Sequence, residues 1–166
     1  MGHVVLCVPD VRRQADFYID VLGFQPSDII TLPEPLGESW FLRTNPRHHS
    51  VALLDTPDAL GLHHVCLESN SLDDVGYSYY NVLGGDTHPD LLLSLGRHVA
   101  DQALSCYMHT PAGCFIEYGW GGLDVDDLEH RSPYNINLRN APDRRSDMWG
   151  HHFRIQPNET THPYAS

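Results

Sequence analysis

A duplication constrains this chain more than any other feature of its sequence. The stretch GHVVLCVPDVRRQADFYIDVLGF at 2–24 aligns with HHVCLESNSLDDVGYSYYNVLGG at 63–85. At a constant offset of 61 residues, His3 meets His64, Val4 meets Val65, Leu6 meets Leu67, Tyr18 meets Tyr79, and Val21-Leu22-Gly23 meets Val82-Leu83-Gly84. Self-similarity over so long a period marks a fold assembled from copies of one supersecondary unit.

Each copy reads as a strand followed by a helix. HVVLCV is β-rich, Asp10 is placed to cap a helix, and Val11, Ala15, Tyr18 and Leu22 recur at helical spacing before Gly23 stops it. In the second copy Ser71 and Asp74 fit a capping pair, Leu72, Val75, Tyr79 and Val82 form the stripe, and Gly84 ends it. Strand-like runs follow at 28–31, 39–43 and 50–54, and again at 94–99, 103–109 and 114–118. TPAG at 110–113 is turn chemistry and makes the last two runs a hairpin. The predicted fold is α+β: two βαβββ modules, about 1–60 and 61–120, whose sheets join into a half-closed β-cup. Residues 121–166, rich in Pro, Asn, Asp and Arg, are expected as an irregular extension packed on that domain, with no chemistry of their own.

Charge narrows the partners. A formal net charge of −12 repels phosphate backbones and argues against nucleic acid. No apolar run nears the roughly 20 residues that span a bilayer, and the N-terminus lacks a basic segment followed by an apolar one. A cytoplasmic protein is therefore expected, with a small uncharged or locally steered substrate. The four cysteines, Cys7, Cys66, Cys106 and Cys114, lie in apolar strand-like runs without CxxC spacing and read as reduced, buried thiols.

The duplication also selects residues. His3 and His64 hold equivalent places in equivalent first strands, so closure of the cup brings them together across a pseudo-twofold axis. Each is either an ordinary core histidine or a ligand. Glu117 is a carboxylate inside the apolar run AGCFIEYGW, a placement that is costly unless the group pairs with an arginine or binds a metal. Two histidines and a carboxylate with open positions form the facial set of non-haem Fe(II) enzymes. Alternation along a strand turns His63 away from the face that carries His64.

These features together resemble the vicinal oxygen chelate superfamily. The segments LGRHVADQALSCYMHTPAGCFIEYGW at 95–120, FLRTNPRHHSVAL at 41–53 and MWGHHF at 148–153 are similar to the catalytic domain of type I extradiol ring-cleavage dioxygenases, the dihydroxybiphenyl-cleaving group above all. The resemblance spans almost the whole chain. It implies an Fe(II) enzyme, with Mn(II) as the less favoured metal, that opens a catechol next to its vicinal diol using O₂ and works as a homo-oligomer. It implies His3, His64 and Glu117 as metal ligands and His49 as the histidine near the oxygen position. It further implies His98 and Tyr107 at the substrate oxygens, with Asp101 supporting their hydrogen bonds. His63 and His48 are expected to face elsewhere or to line the pocket at most, with His48 an exposed or structural residue. The chain departs from the group's pattern at Ala100, Gln102 and Cys106, which leaves the metal set intact and puts the substrate range in question.

Two other functions share such a cup. A glyoxalase-like isomerase using Zn²⁺ or Ni²⁺ calls for an additional carboxylate near Asp55. A non-catalytic binding module has no use for His49, His98 and Tyr107 together. His3, so near the first residue, is held by sheet pairing or by a partner subunit, or else belongs to a piece of a two-domain enzyme.

Overall fold

The structure, a computed structural model, describes residues 1–57, 59–82, 84, 90–125, 134–137 and 147–153. The first copy supplies β1 (Val4–Val8), α1 (Val11–Asp16), β2 (Gln25–Thr31), β3 (Glu38–Arg43) and β4 (Val51–Asp55). The second supplies β5 (Gly61–Glu68), α2 (Leu72–Tyr77), β6 (Leu91–His98), β7 (Leu104–His109) and β8 (Phe115–Trp120). Two further strands, β9 (Tyr134–Asn137) and β10 (Asp147–Trp149), come from the C-terminal segment.

All ten strands join one sheet in the order β10-β6-β7-β8-β5-β1-β4-β3-β2-β9. Within each copy the order is the same, first strand, then fourth, third and second, so the duplication is a structural one. The copies meet where β1 runs antiparallel to β5. The sheet curls until residues of both copies, such as Ile30 and Leu54 on one side and His98 and Tyr107 on the other, line one cavity. The segment expected to be irregular extends both edges: β9 lies parallel to β2, and β10 antiparallel to β6.

Local chemistry explains the helices. Asp10 Oδ1 accepts from the Arg13 N–H at 3.1 Å, and Ser71 Oγ from the Asp74 N–H at 3.1 Å. Caps of this kind each contribute about 1 kcal/mol. Gly23 and Gly84 follow with φ of +75° and +66°, the left-handed stop that favours glycine. Between cap and stop each helix widens into a π turn, Phe17–Val21 and Ser78–Val82. That widening breaks the predicted stripe: Val11 and Ala15 are buried, but Leu22 is exposed. The α1 pair packs on Val8, Leu42 and Leu53 in one core cluster, while Tyr79, Leu91 and Cys106 form another. Cys7, Cys66 and Cys106 are buried and all four thiols are free.

Candidate metal centre and substrate cavity

Register carries five side chains to one face of the sheet. In the antiparallel β1–β5 pair, Val5 stands opposite His64 and the His3 carbonyl accepts from the Cys66 N–H, so His3 and His64 are diagonal neighbours on the same side. Cys66 pairs with Glu117 on β8, and Glu117 with Tyr107 on β7. On β6, Gly96 pairs with Ser105, which places His98, two residues on, above the same face. His49 and Asp101 arrive from loops. All seven predicted site residues, His3, His49, His64, His98, Asp101, Tyr107 and Glu117, line one cavity. Its remaining wall is largely apolar, with Val5, Ile30, Leu32, Phe41 and Leu54.

Three donor atoms converge at its floor. Glu117 Oε2 is 2.9 Å from His3 Nε2 and 3.3 Å from His64 Nε2, and the two imidazole nitrogens are 3.3 Å apart. Glu117 is fully buried, yet neither carboxylate oxygen receives an in-line hydrogen bond among the described residues. A buried carboxylate without such bonds costs several kcal/mol unless cations meet it; His98 Nε2 stands 3.3 Å from Oε1, and Oε2 is the oxygen that faces His3 and His64. Donors bound at about 2.1 Å around one ion stand about 3 Å apart along a polyhedron edge, which is the spacing found. The residues therefore fit a divalent metal. Cys66 also borders this cluster, but burial, then the Glu117 charge, push its thiol pKa up, so the carboxylate is the anionic donor. Burial opposes ionisation of Glu117 itself, but His3, His64 and His98 outweigh it and hold its pKa well below the ordinary carboxylate range.

The walls carry proton-handling groups in distinct states. Burial, then the neighbouring His3 and His48, hold His49 well below the usual imidazole pKa, so it is neutral. Burial alone would lower His98, but its bond to Asp147 and its contact with Glu117 overcome that and raise it. A protonated His98 donates from Nδ1 to Asp147 Oδ1 at 2.7 Å and from Nε2 to the Tyr107 hydroxyl at 2.7 Å. Burial and then Glu117 raise the Tyr107 pKa, keeping the phenol protonated.

Three expectations are corrected here. Asp101 accepts from the Ala103 N–H at 3.0 Å and stands 4.0 Å from His49 Nδ1, while the carboxylate that engages His98 is Asp147. The C-terminal segment thus brings chemistry to the cavity. His151 Nδ1 also donates to Asp147 Oδ1, at 2.8 Å, and Gly96 makes room for its ring, since a Cβ there would run into the His151 backbone nitrogen and stand 2.5 Å from the ring's Cγ. Finally, His63 does not turn away. The β1–β5 register slips between Val5/His64 and Leu6/Leu62, which makes His63 the extra residue of a β-bulge. A bulge breaks strict alternation, so His63 lines the cavity with Nδ1 2.7 Å from His64 Nδ1. His48 is fully buried, consistent with a structural residue and not an exposed one.

Fold and site together define a duplicated βαβββ cup with a histidine- and carboxylate-lined interior. The chain belongs to the Glyoxalase/Bleomycin resistance protein/Dioxygenase superfamily, whose sequence model matches residues 1–117. It is 39% identical over 158 residues to biphenyl-2,3-diol 1,2-dioxygenase of Paraburkholderia xenovorans (strain LB400), covering 91% of this chain and 48% of that protein. It is also 39% identical over 157 residues to 3-methylcatechol 2,3-dioxygenase of Pseudomonas putida, with 93% and 50% covered. The crystal structure of 2,2',3-trihydroxybiphenyl 1,2-dioxygenase from Sphingomonas wittichii strain RW1 superposes with a TM-score of 0.75 at 34% identity, over 92% of this chain and 50% of that one. The chain spans about half the length of the curated relatives it matches.

Proposed function

We propose that this chain is an Fe(II)-dependent extradiol dioxygenase that opens a catechol-type ring next to its vicinal diol with O₂. The observation that carries the reading is the convergence of His3, His64 and the hydrogen-bond-starved Glu117 below a wall that bears His49, His98 and Tyr107. Relatives at 39% identity act on biphenyl-2,3-diol and 3-methylcatechol. His3, His64 and Glu117 would hold the iron. When bound, the metal supplies a Lewis acid that favours an ionised diol and a redox partner for oxygen.

The remaining steps belong to the chain's own groups. Ile30, Leu32, Phe41 and Leu54 take the body of the ring and exclude water. His49, neutral and buried, accepts a proton at a ring nitrogen and returns it later. The Tyr107 hydroxyl, which accepts from His98 at 2.7 Å, donates its own hydrogen to a substrate oxygen as its charge grows. The glyoxalase-like alternative loses ground at Asp55, which lines a separate depression with Asp10 and Glu38 and is absent from the cavity wall.

Iron content and turnover test the reading together. The wild-type chain is expected to take up one Fe(II), and Glu117→Ala none. His49→Ala is expected to keep iron and catechol binding while losing most turnover. Full iron uptake by Glu117→Ala, or normal turnover by His49→Ala, overturns the assignment.

A further inference from the structure

His49 is not held by the cavity alone. Behind it runs a buried chain of polar groups that plays no part in the steps above. His49 Nδ1 is 3.0 Å from His48 Nδ1, and the other His48 nitrogen, Nε2, is 2.8 Å from Asp28 Oδ2. Asp28, His48 and His49 are 3%, 1% and 4% exposed. Such burial of three polar side chains is costly unless each satisfies the next.

Two local devices assemble them. The His48–His49 pair lies in the loop between β3 and β4, where strand alternation does not apply, so both neighbours turn inward. The loop is anchored by the His48 N–H to the Leu123 carbonyl at 2.9 Å. On β2 the register slips between Pro26/Leu42 and Asp28/Phe41, leaving Ser27 as an extra residue. That bulge lets Ser27 and Asp28 both face inward and brings the carboxylate under His48. The Phe41 ring packs against both imidazoles, with centroids 5.6 Å from His48 and 4.9 Å from His49.

When His48 carries a single hydrogen, the hydrogen-bond polarity of this chain runs in one direction. A carboxylate only accepts, so His48 Nε2 carries a hydrogen. The Nδ1 of a singly protonated His48 then has only a lone pair, and the hydrogen shared with His49 sits on His49 Nδ1. That leaves His49 Nε2, on a ring that lines the cavity, as a bare acceptor. We propose that Asp28 and His48 are positioning residues for His49: they fix its ring and its tautomer so that an unprotonated Nε2 is presented to a bound molecule. The same support is well attested for histidines at metals and in catalytic dyads, where the partner of one nitrogen decides what the other can do.

The kinetic part of this proposal rests on the dioxygenase reading; the tautomer part does not. The first measurement is therefore made on the full chain without metal, labelled with ¹⁵N-histidine, by two-bond ¹H–¹⁵N spectra. The signal of His49 is identified by its loss in His49→Gln. Wild type is expected to show the proton on Nδ1. His48→Phe, which keeps the packing on Phe41 but accepts no hydrogen bond, is expected to shift it to Nε2. His48→Asn, whose oxygen can accept near the former Nδ1 position, is expected to restore Nδ1–H. A wild-type His49 protonated on Nε2 overturns the proposal without any variant, and so does an unshifted tautomer in a folded His48→Phe. In the Fe(II)-loaded chain, His48→Phe and Asp28→Leu are expected to lower kcat roughly 10- to 100-fold with catechol KM unchanged, and His48→Asn to recover most of it. Unaltered kcat in His48→Phe overturns the proposal. A chain that shows the Nδ1–H ring but opens no catechol supports the positioning and refutes the dioxygenase reading.

Discussion

Replacing His63 with phenylalanine is expected to flatten the acid sensitivity of the metal-free chain. His63 sits at the β5 bulge with its ring 5.1 Å from Phe115 and its Nδ1 against His64. Burial, then the neighbouring His64, push its pKa from 6.5 down to about 4. In the unfolded chain the ring takes a proton near pH 6.5, and in the folded chain only near pH 4. Between those values the unfolded state binds more protons, so stability falls as pH falls. Above pH 6.5 neither state is protonated and the group contributes nothing; below pH 4 the loss is complete. At about 1.4 kcal/mol per pH unit the loss reaches roughly 3 kcal/mol, a large share of a small domain's stability. Phenylalanine keeps an apolar ring beside Phe115 and removes the titration. The assay is denaturant unfolding of wild type and His63→Phe at pH 7.5 and pH 4.5. The variant is expected to gain about 2–3 kcal/mol on wild type between the two. Parallel losses in both proteins would refute the linkage and the burial from which it comes.

Three further outcomes follow from the same geometry. Glu117→Gln keeps the volume but removes the anionic donor, and Fe(II) affinity measured by competition with a chelator is expected to fall by more than 100-fold. Asp147→Asn weakens the bond that keeps His98 protonated, so the alkaline limb of the kcat/KM profile is expected to move to lower pH, and an unmoved limb refutes the role of Asp147. Gly96→Ala puts a Cβ against His151, and at about 1–3 kcal/mol of overpacking the midpoint of thermal unfolding is expected to drop by several degrees.

The features legible in the sequence are those that repeat or break a local pattern. The offset of 61 residues pairs His3 with His64 from the sequence alone, because duplicated strands meet at a twofold-related seam. Glu117 stood out as a charge in an apolar strand. His49, His98 and Tyr107 came from resemblance, since nothing local distinguishes them from the other histidines and tyrosines. What stayed hidden depends on single-residue slips and distant contacts. The bulge that turns His63 inward leaves no mark in a sequence whose strand period is two. Asp147 reaches His98 across 49 residues, from a segment whose composition suggested only a loose covering. Asp28 carried the same signal as Glu117, a carboxylate within a strand-like run, but at a strand start it was indistinguishable from a solvated turn residue.

Under the proposed function the three converging donors, His3, His64 and Glu117, hold iron for ring opening. Oxygen uptake decides this, with the chain loaded anaerobically with Fe(II) and then given mono- and bicyclic catechols. One O₂ is expected to be consumed per catechol, with a yellow ring-opened product from cleavage next to the diol. An iron-loaded chain that consumes no oxygen with any catechol would contradict it and leave the cup as a binding module.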